Sequence, residues 1–237
     1  MSSQQPPRRR RLLSHLARLG LTCCLALPLG VLSQQTGASA SVATSNSNTP
    51  VSAPVLLVFG DSLSAEYGLK RSSGWVNLLQ DQLKREGFPH RVVNASISGE
   101  TTAGGVVRLN ALLKKHQPAM VIVQLGANDG LRGLPVAQTE QNLKRMVQMV
   151  RAANASAFIV GIRVPPNYGL DYARQFDGVF SKVGRDTQTP VVPFLLEGFA
   201  DNPGFFQADE IHPNERAQPK MLSVVWPRLR VALNAPQ

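Results

Sequence analysis

Five short runs rich in branched and aromatic residues, separated by helix-length stretches, constrain this chain more than any other feature. Val55–Phe59, Arg91–Asn94, Met120–Leu125, Phe158–Gly161 and Val191–Val192 lack the polar alternation of a sheet with one wet face. They therefore predict strands covered on both sides. Gly74–Glu86, Thr102–His116, Pro135–Ala153, Leu170–Arg185 and Ala217–Ala232 predict the intervening and closing helices. Such alternation is the pattern of a parallel sheet between two helical layers, a three-layer α/β/α sandwich. Within the second helix, Val106, Leu109, Leu112 and Leu113 form an apolar stripe aimed at the sheet. Pro227 is expected to kink or end the last helix, because its ring removes an amide donor and clashes one turn back.

The first fifty residues stand apart. Met1 to Arg18 carries five arginines and no acid, and Leu19–Leu32 is an apolar run, followed by the small residues Ala38-Ser39-Ala40 and Ser41-Val42-Ala43. That is the pattern of a secretory leader. A spanning helix needs about 20 apolar residues, which argues against a retained membrane anchor. Residues 1–40 thus read as a leader cleaved near 40–43, residues 41–53 as a solvated linker rich in Ser, Asn and Pro, and 54–237 as the folded domain. The four consecutive arginines resemble a twin-arginine signal, but the residues after them follow it loosely, and ordinary Sec export is preferred. Both cysteines, Cys23 and Cys24, fall in the leader. A mature chain without them has no disulfide framework, thiolate metal site or catalytic cysteine. The net charge of +10 includes the five leader arginines, leaving +5 on the remainder. Its basic residues are scattered without interleaved aromatics, which excludes a nucleic-acid surface. A periplasmic or secreted monomer is expected.

Open parallel sheets bind ligands beyond the carboxyl ends of their strands. The first strand runs into Gly60-Asp61-Ser62-Leu63-Ser64. Dinucleotide and P-loop glycine patterns are absent, and so is Gly-x-Ser-x-Gly, since position 64 is Ser. What remains is a serine at a strand-to-helix turn, a nucleophile that needs a base. His15 goes with the leader, while His90 precedes the second strand and His116 ends a helix, which leaves His212. In Asp209-Glu210-Ile211-His212-Pro213 the Asp209 carboxylate is placed to accept from Nδ1–H and free Nε2 for Ser62. Glu210 is the rival, but a spacing of two on an extended loop sends its side chain away from the ring. Pro213 holds His212 extended, and Asp61 is read as structural, holding the serine turn. Acyl transfer also needs donors for the developing oxyanion. The Ser62 amide, the Gly99 amide after the second strand and the Asn128 side chain after the third are the candidates.

These blocks resemble those of the SGNH or GDSL hydrolase superfamily, and the chain is similar to its secreted multifunctional thioesterase, lysophospholipase and arylesterase branch over nearly all of residues 54–226. The likeness extends to Val92–Gly99, Leu125–Gly133, Pro166–Gly169 and Ile211–Asn214. It implies a five-stranded parallel sheet of order 2-1-3-4-5, flavodoxin-like in topology. It also implies Ser62 as nucleophile, Asp209 and His212 as acid and base, an oxyanion hole of Ser62, Gly99 and Asn128, and no metal or cofactor. The expected substrates are small acyl esters and thioesters: aryl esters, acyl-CoA and lysophospholipids. In that branch the segment matching Gly130–Pro135 lines the acyl pocket and moves on binding, so Leu131, Leu134 and Pro135, with Ile211, are expected pocket residues. Two departures stand out: Glu66, an acid expected at the pocket mouth, and Trp226-Pro227, which interrupts a terminal helix. A carbohydrate O-deacetylase and a non-catalytic binding module are the alternatives.

Overall fold

The computed structural model describes residues 52–235. The leader read over 1–40, and the linker up to residue 51, lie outside the described residues. Five parallel strands form one sheet in the order β2-β1-β3-β4-β5: β1 (Val55–Gly60), β2 (Arg91–Asn94), β3 (Met120–Gln124), β4 (Ser156–Val160) and β5 (Val191–Val192). The register pairs Val58 with Asn94 on one side and Ile122 on the other, and Ile122 in turn with Phe158. This is the implied topology. Every residue of β1 and β3 is buried, so apolar side chains leave both faces of the sheet into helical layers.

Among the described residues six α-helices surround it: α1 (Trp75–Arg85), α2 (Thr102–His116), α3 (Ala127–Leu131), α4 (Val136–Ala152), α5 (Leu170–Thr187) and α6 (Gln218–Asn234). Helix α1 packs on α6, while α4 packs between α2 and α5. In α2 the side chain of Thr101 caps the amide of Gly104, basic residues occupy the last turn, and Gln117 ends the helix in the left-handed region. Leu109 and Leu113 of its stripe are buried, and Val106 and Leu112 partly so.

Pro227 does not break α6, contrary to expectation: the helix is continuous to Asn234. Met221, Leu222, Val225, Leu229 and Leu233 bury one stripe, whereas Pro227 and Ser223 one turn earlier are exposed. Water can thus serve the Ser223 carbonyl that proline leaves without a donor. Burying each aliphatic side chain contributes about 1.5–3 kcal/mol, and together they outweigh the roughly 3 kcal/mol cost of an interior proline. Helix α3, only five residues long, was not expected at all. Strand β4 begins two residues earlier than its apolar run suggests, at Ser156.

Candidate active site

The chain enters the site at the end of β1. Gly60 is required there by close approach, since a Cβ would lie 2.6 Å from Gln124 Oε1 and 2.9 Å from Ser64 Oγ. Those two atoms bond to each other: the Ser64 hydroxyl donates to Gln124 Oε1 at 2.5 Å, and Gln124 Nε2 donates to Asp61 Oδ1 at 3.1 Å. The Leu63 amide also donates to Asp61 Oδ1. The turn carrying Ser62 is therefore bolted to the end of β3, and Ser64 has a use that glycine could not supply. Asp61 is fully buried and its Oδ2 has no hydrogen-bond partner among the described residues. Burial pushes its carboxyl up to about 6, against the lowering effect of the Leu63 amide, Gln124 and His212.

From the far end of the chain, a loop brings the imidazole to that serine. His212 Nε2 lies 2.9 Å from Ser62 Oγ, and Nδ1 lies 2.6 Å from Asp209 Oδ2. The other oxygen of Asp209 accepts from the amides of Ile211 and His212, each at 3.0 Å. Desolvation works against the charged carboxylate, but these donors prevail and hold Asp209 down at about 2. With Asp209 ionised, the proton sits on Nδ1 and Nε2 accepts from the serine hydroxyl. Glu210 turns into the left-handed region (φ 59°) and lines the neighbouring cleft, making no bond to the ring. His90 sits just before β2 and His116 ends α2 ahead of β3, both at the amino-terminal ends of the strands and so at the opposite end of the sheet from Ser62.

Two loops face the serine from the ends of β2 and β3. Neither the Ser62 nor the Gly99 amide donates to a protein acceptor among the described residues. Asn128 Nδ2 donates to the Glu100 carbonyl at 2.9 Å, joining the two loops, and Arg132 Nη2 donates to the Gly99 carbonyl at 3.1 Å. Beneath them the buried Asp129 carboxylate accepts from the Thr102 amide at 2.9 Å and from the Thr102 and Thr139 hydroxyls. The short helix α3 thus presents Asn128 outward while Asp129 anchors it to the start of α2.

Beside Ser62 and His212 opens a cleft of about 680 Å³. Leu63, Leu131, Ile162, Val164, Pro165, Leu170, Phe194, Leu196 and Ile211 supply its apolar walls. On its wall the Arg163 guanidinium lies 4.8 Å from the Phe194 ring centroid and 3.5 Å from Asp177. Leu131 and Ile211 line the cleft, but Leu134 and Pro135 are not among its walls. The Leu134 carbonyl accepts from the Tyr172 hydroxyl at 2.9 Å, and Pro135 precedes α4 as its cap. The segment turns away to begin a helix, which removes both side chains from the site. Glu66 is likewise not at the mouth. Its carboxylate folds back to accept from the Ser72 and Gly74 amides and the Asn77 side chain, closing the loop ahead of α1.

Sequence reasoning missed Gln124, Asp129 and Gln207. Gln124 carried a signal, a polar residue ending a strand that is otherwise wholly apolar. Gln207 carried none, because the partner that ties it to the serine turn, the Tyr67 carbonyl, lies 140 residues away.

The sequence pattern of the GDSL-like Lipase/Acylhydrolase family matches residues 58–218. The chain is 48% identical over 213 residues to the esterase TesA of Pseudomonas aeruginosa, covering 90% of this chain and 98% of that one. It is 44% identical over 182 residues to the thioesterase 1/protease 1/lysophospholipase L1 of Escherichia coli K12, covering 77% and 86%. The crystal structure of the psychrotrophic esterase EstA from a Pseudoalteromonas species, inhibited by monoethylphosphonate, superposes with a TM-score of 0.73 at 41% identity, covering 76% of this chain and 99% of that one. Shared strand order, a matched pattern spanning the serine and asparagine blocks, and identities above 40% along most of the fold agree: the chain belongs to the GDSL-like lipase/acylhydrolase family.

Proposed function

We propose that this protein is a serine hydrolase of carboxylic esters and thioesters, working through an acyl-enzyme on Ser62. The observation that carries the reading is the unbroken run of contacts from Asp209 through His212 to Ser62, at 2.6 and 2.9 Å. Ser62 Oγ attacks the acyl carbon while His212 Nε2 takes its proton. The tetrahedral oxyanion is met by the Ser62 and Gly99 amides and the Asn128 side chain. Collapse breaks the bond to the leaving oxygen or sulfur, which receives the proton from His212. Water, deprotonated by the same nitrogen, then releases the acid and restores Ser62.

The apolar cleft favours a chain longer than acetyl, which supports an esterase and thioesterase over a carbohydrate O-deacetylase. Relatives that carry esterase, thioesterase and lysophospholipase in their names support the same substrate classes. We read residues 1–40 as an export leader, 41–53 as a linker and 54–237 as the catalytic domain of a periplasmic or secreted monomer. No helix among the described residues is long and apolar enough to cross a membrane.

Ser62→Ala and His212→Ala are each expected to remove nearly all hydrolysis of a short aryl ester with an unchanged far-ultraviolet dichroism spectrum. Near-native turnover in either variant overturns the reading. A wild-type protein that fails to react with a fluorophosphonate points instead to a non-catalytic binding module.

A further inference from the structure

The loop after β1 reaches the catalytic base as well as displaying the serine. Five residues beyond Ser62, the Tyr67 ring lies 4.4 Å from the His212 ring, centroid to centroid, tilted by 37°. Tyr67 is 50% exposed, far outside the core. Solvent exposure would ordinarily leave such a ring free to turn away, yet its backbone is held at two points. Its amide donates to the Ser62 carbonyl at 3.4 Å, and its carbonyl accepts from Gln207 Nε2 at 2.8 Å.

Gln207 belongs to the histidine loop, and every polar bond it makes bears on the site. Its amide donates to the His212 carbonyl at 2.8 Å, and its carbonyl accepts from the Glu210 amide at 3.0 Å, closing the turn that carries Asp209. Its Nε2 donates also to the Pro213 carbonyl at 3.2 Å. Both side-chain partners are carbonyls, so only an amide nitrogen or another donor can stand there. Gly68 leaves room for this reach: a Cβ there would sit 2.0 Å from Gln207 Oε1.

We propose that Tyr67 is a positioning residue for the base, its ring face backing the imidazole and favouring the imidazolium formed as Ser62 gives up its proton, with Gln207 holding that ring in place. The inference rests on the assignment of Ser62 and His212 as nucleophile and base. Aromatic rings attract a cation held within about 6 Å of the centroid through their negative faces. The charged groups around the imidazole are Asp209 and Glu210 on its own loop, Asp61 in the serine turn, and Arg163, Arg174, Asp177, Glu197 and Asp201 along the cleft on which it opens. Neither Tyr67 nor Gln207 adds a charge to that set, so substituting them with uncharged residues leaves it unaltered.

The test compares Tyr67→Leu, Tyr67→Phe and Gln207→Met with the wild type, reading kcat and KM on a short aryl ester, the pH profile of kcat/KM and the rate of fluorophosphonate labelling. Tyr67→Leu is expected to lower kcat and labelling about three- to fivefold at near-constant KM, and to move the acid limb of the profile down by about half a pH unit. Tyr67→Phe, which keeps the ring face, should restore both. Gln207→Met should reproduce the acid-limb shift with a larger fall in kcat, of about tenfold. A Tyr67→Leu enzyme with unchanged labelling and acid limb overturns the inference, as does a loss that Tyr67→Phe fails to restore. If the wild type itself does not label, the Ser62 assignment falls first.

Discussion

Asn128 has two N–H bonds on one amide nitrogen, and the fold uses one of them on the Glu100 carbonyl. The second makes no bond among the described residues, and on the proposed mechanism it is offered to the substrate oxygen beside Ser62. Asn128→Ala is therefore expected to cut kcat on an aryl ester by about 10²–10³ with little change in KM, the usual effect of losing an oxyanion donor. An unchanged kcat would remove Asn128 from the oxyanion set. At this scale, legibility followed distance along the chain. Ser62, Gly99 and Asn128 each follow a strand within a short motif, and Asp209 and His212 share one motif, so all five could be proposed from local motifs. Gln124 bonds to Ser64 from 60 residues away and Gln207 to Tyr67 from 140, beyond the reach of any spacing rule. Glu66 misled for another reason. Its left-handed backbone (φ 59°) folds the carboxylate onto its own loop, and a side-chain type alone carries no such information.

Among the elements, α6 carries the plainest test. Pro227 sits in an exposed position inside a helix whose buried stripe does not need it. Pro227→Ala should restore the missing amide donor and raise stability by up to about 3 kcal/mol, seen as a higher urea midpoint with unchanged kcat. A lower midpoint would show that the ring itself contributes packing. Strands and long helices were legible because apolar runs and 3.6-residue stripes persist over them. The five residues of α3 are fewer than two turns, too short to show a period, and the same brevity hid where Leu134 and Pro135 would point. Pro227 deceived because local rules price the lost hydrogen bond but not five buried side chains along the same helix.

For the molecule as a whole, the alternation of elements sufficed for the three-layer class, while the strand order came from family likeness, since periodicity says nothing about neighbours in a sheet. Its stability should bend with pH in two places. Asp61 rises from an ordinary 3.8 to about 6 in the fold, so the native state binds more protons between those values and stability falls as pH climbs through them, by on the order of 3 kcal/mol. Asp61→Asn should flatten that stretch in denaturation midpoints measured from pH 4 to 7, and a profile still sloping there would mean another group titrates. Asp209 acts in the opposite sense: lowered to about 2, its contribution is complete above about 3.8 and disappears as pH drops through 2. The sheet ends on β2 and β5, four and two residues long, with Arg91 exposed on the longer. Another copy adding a strand would find almost no ladder to extend and a charge in its way, so a chain with so apolar a centre is poorly suited to growing into fibres.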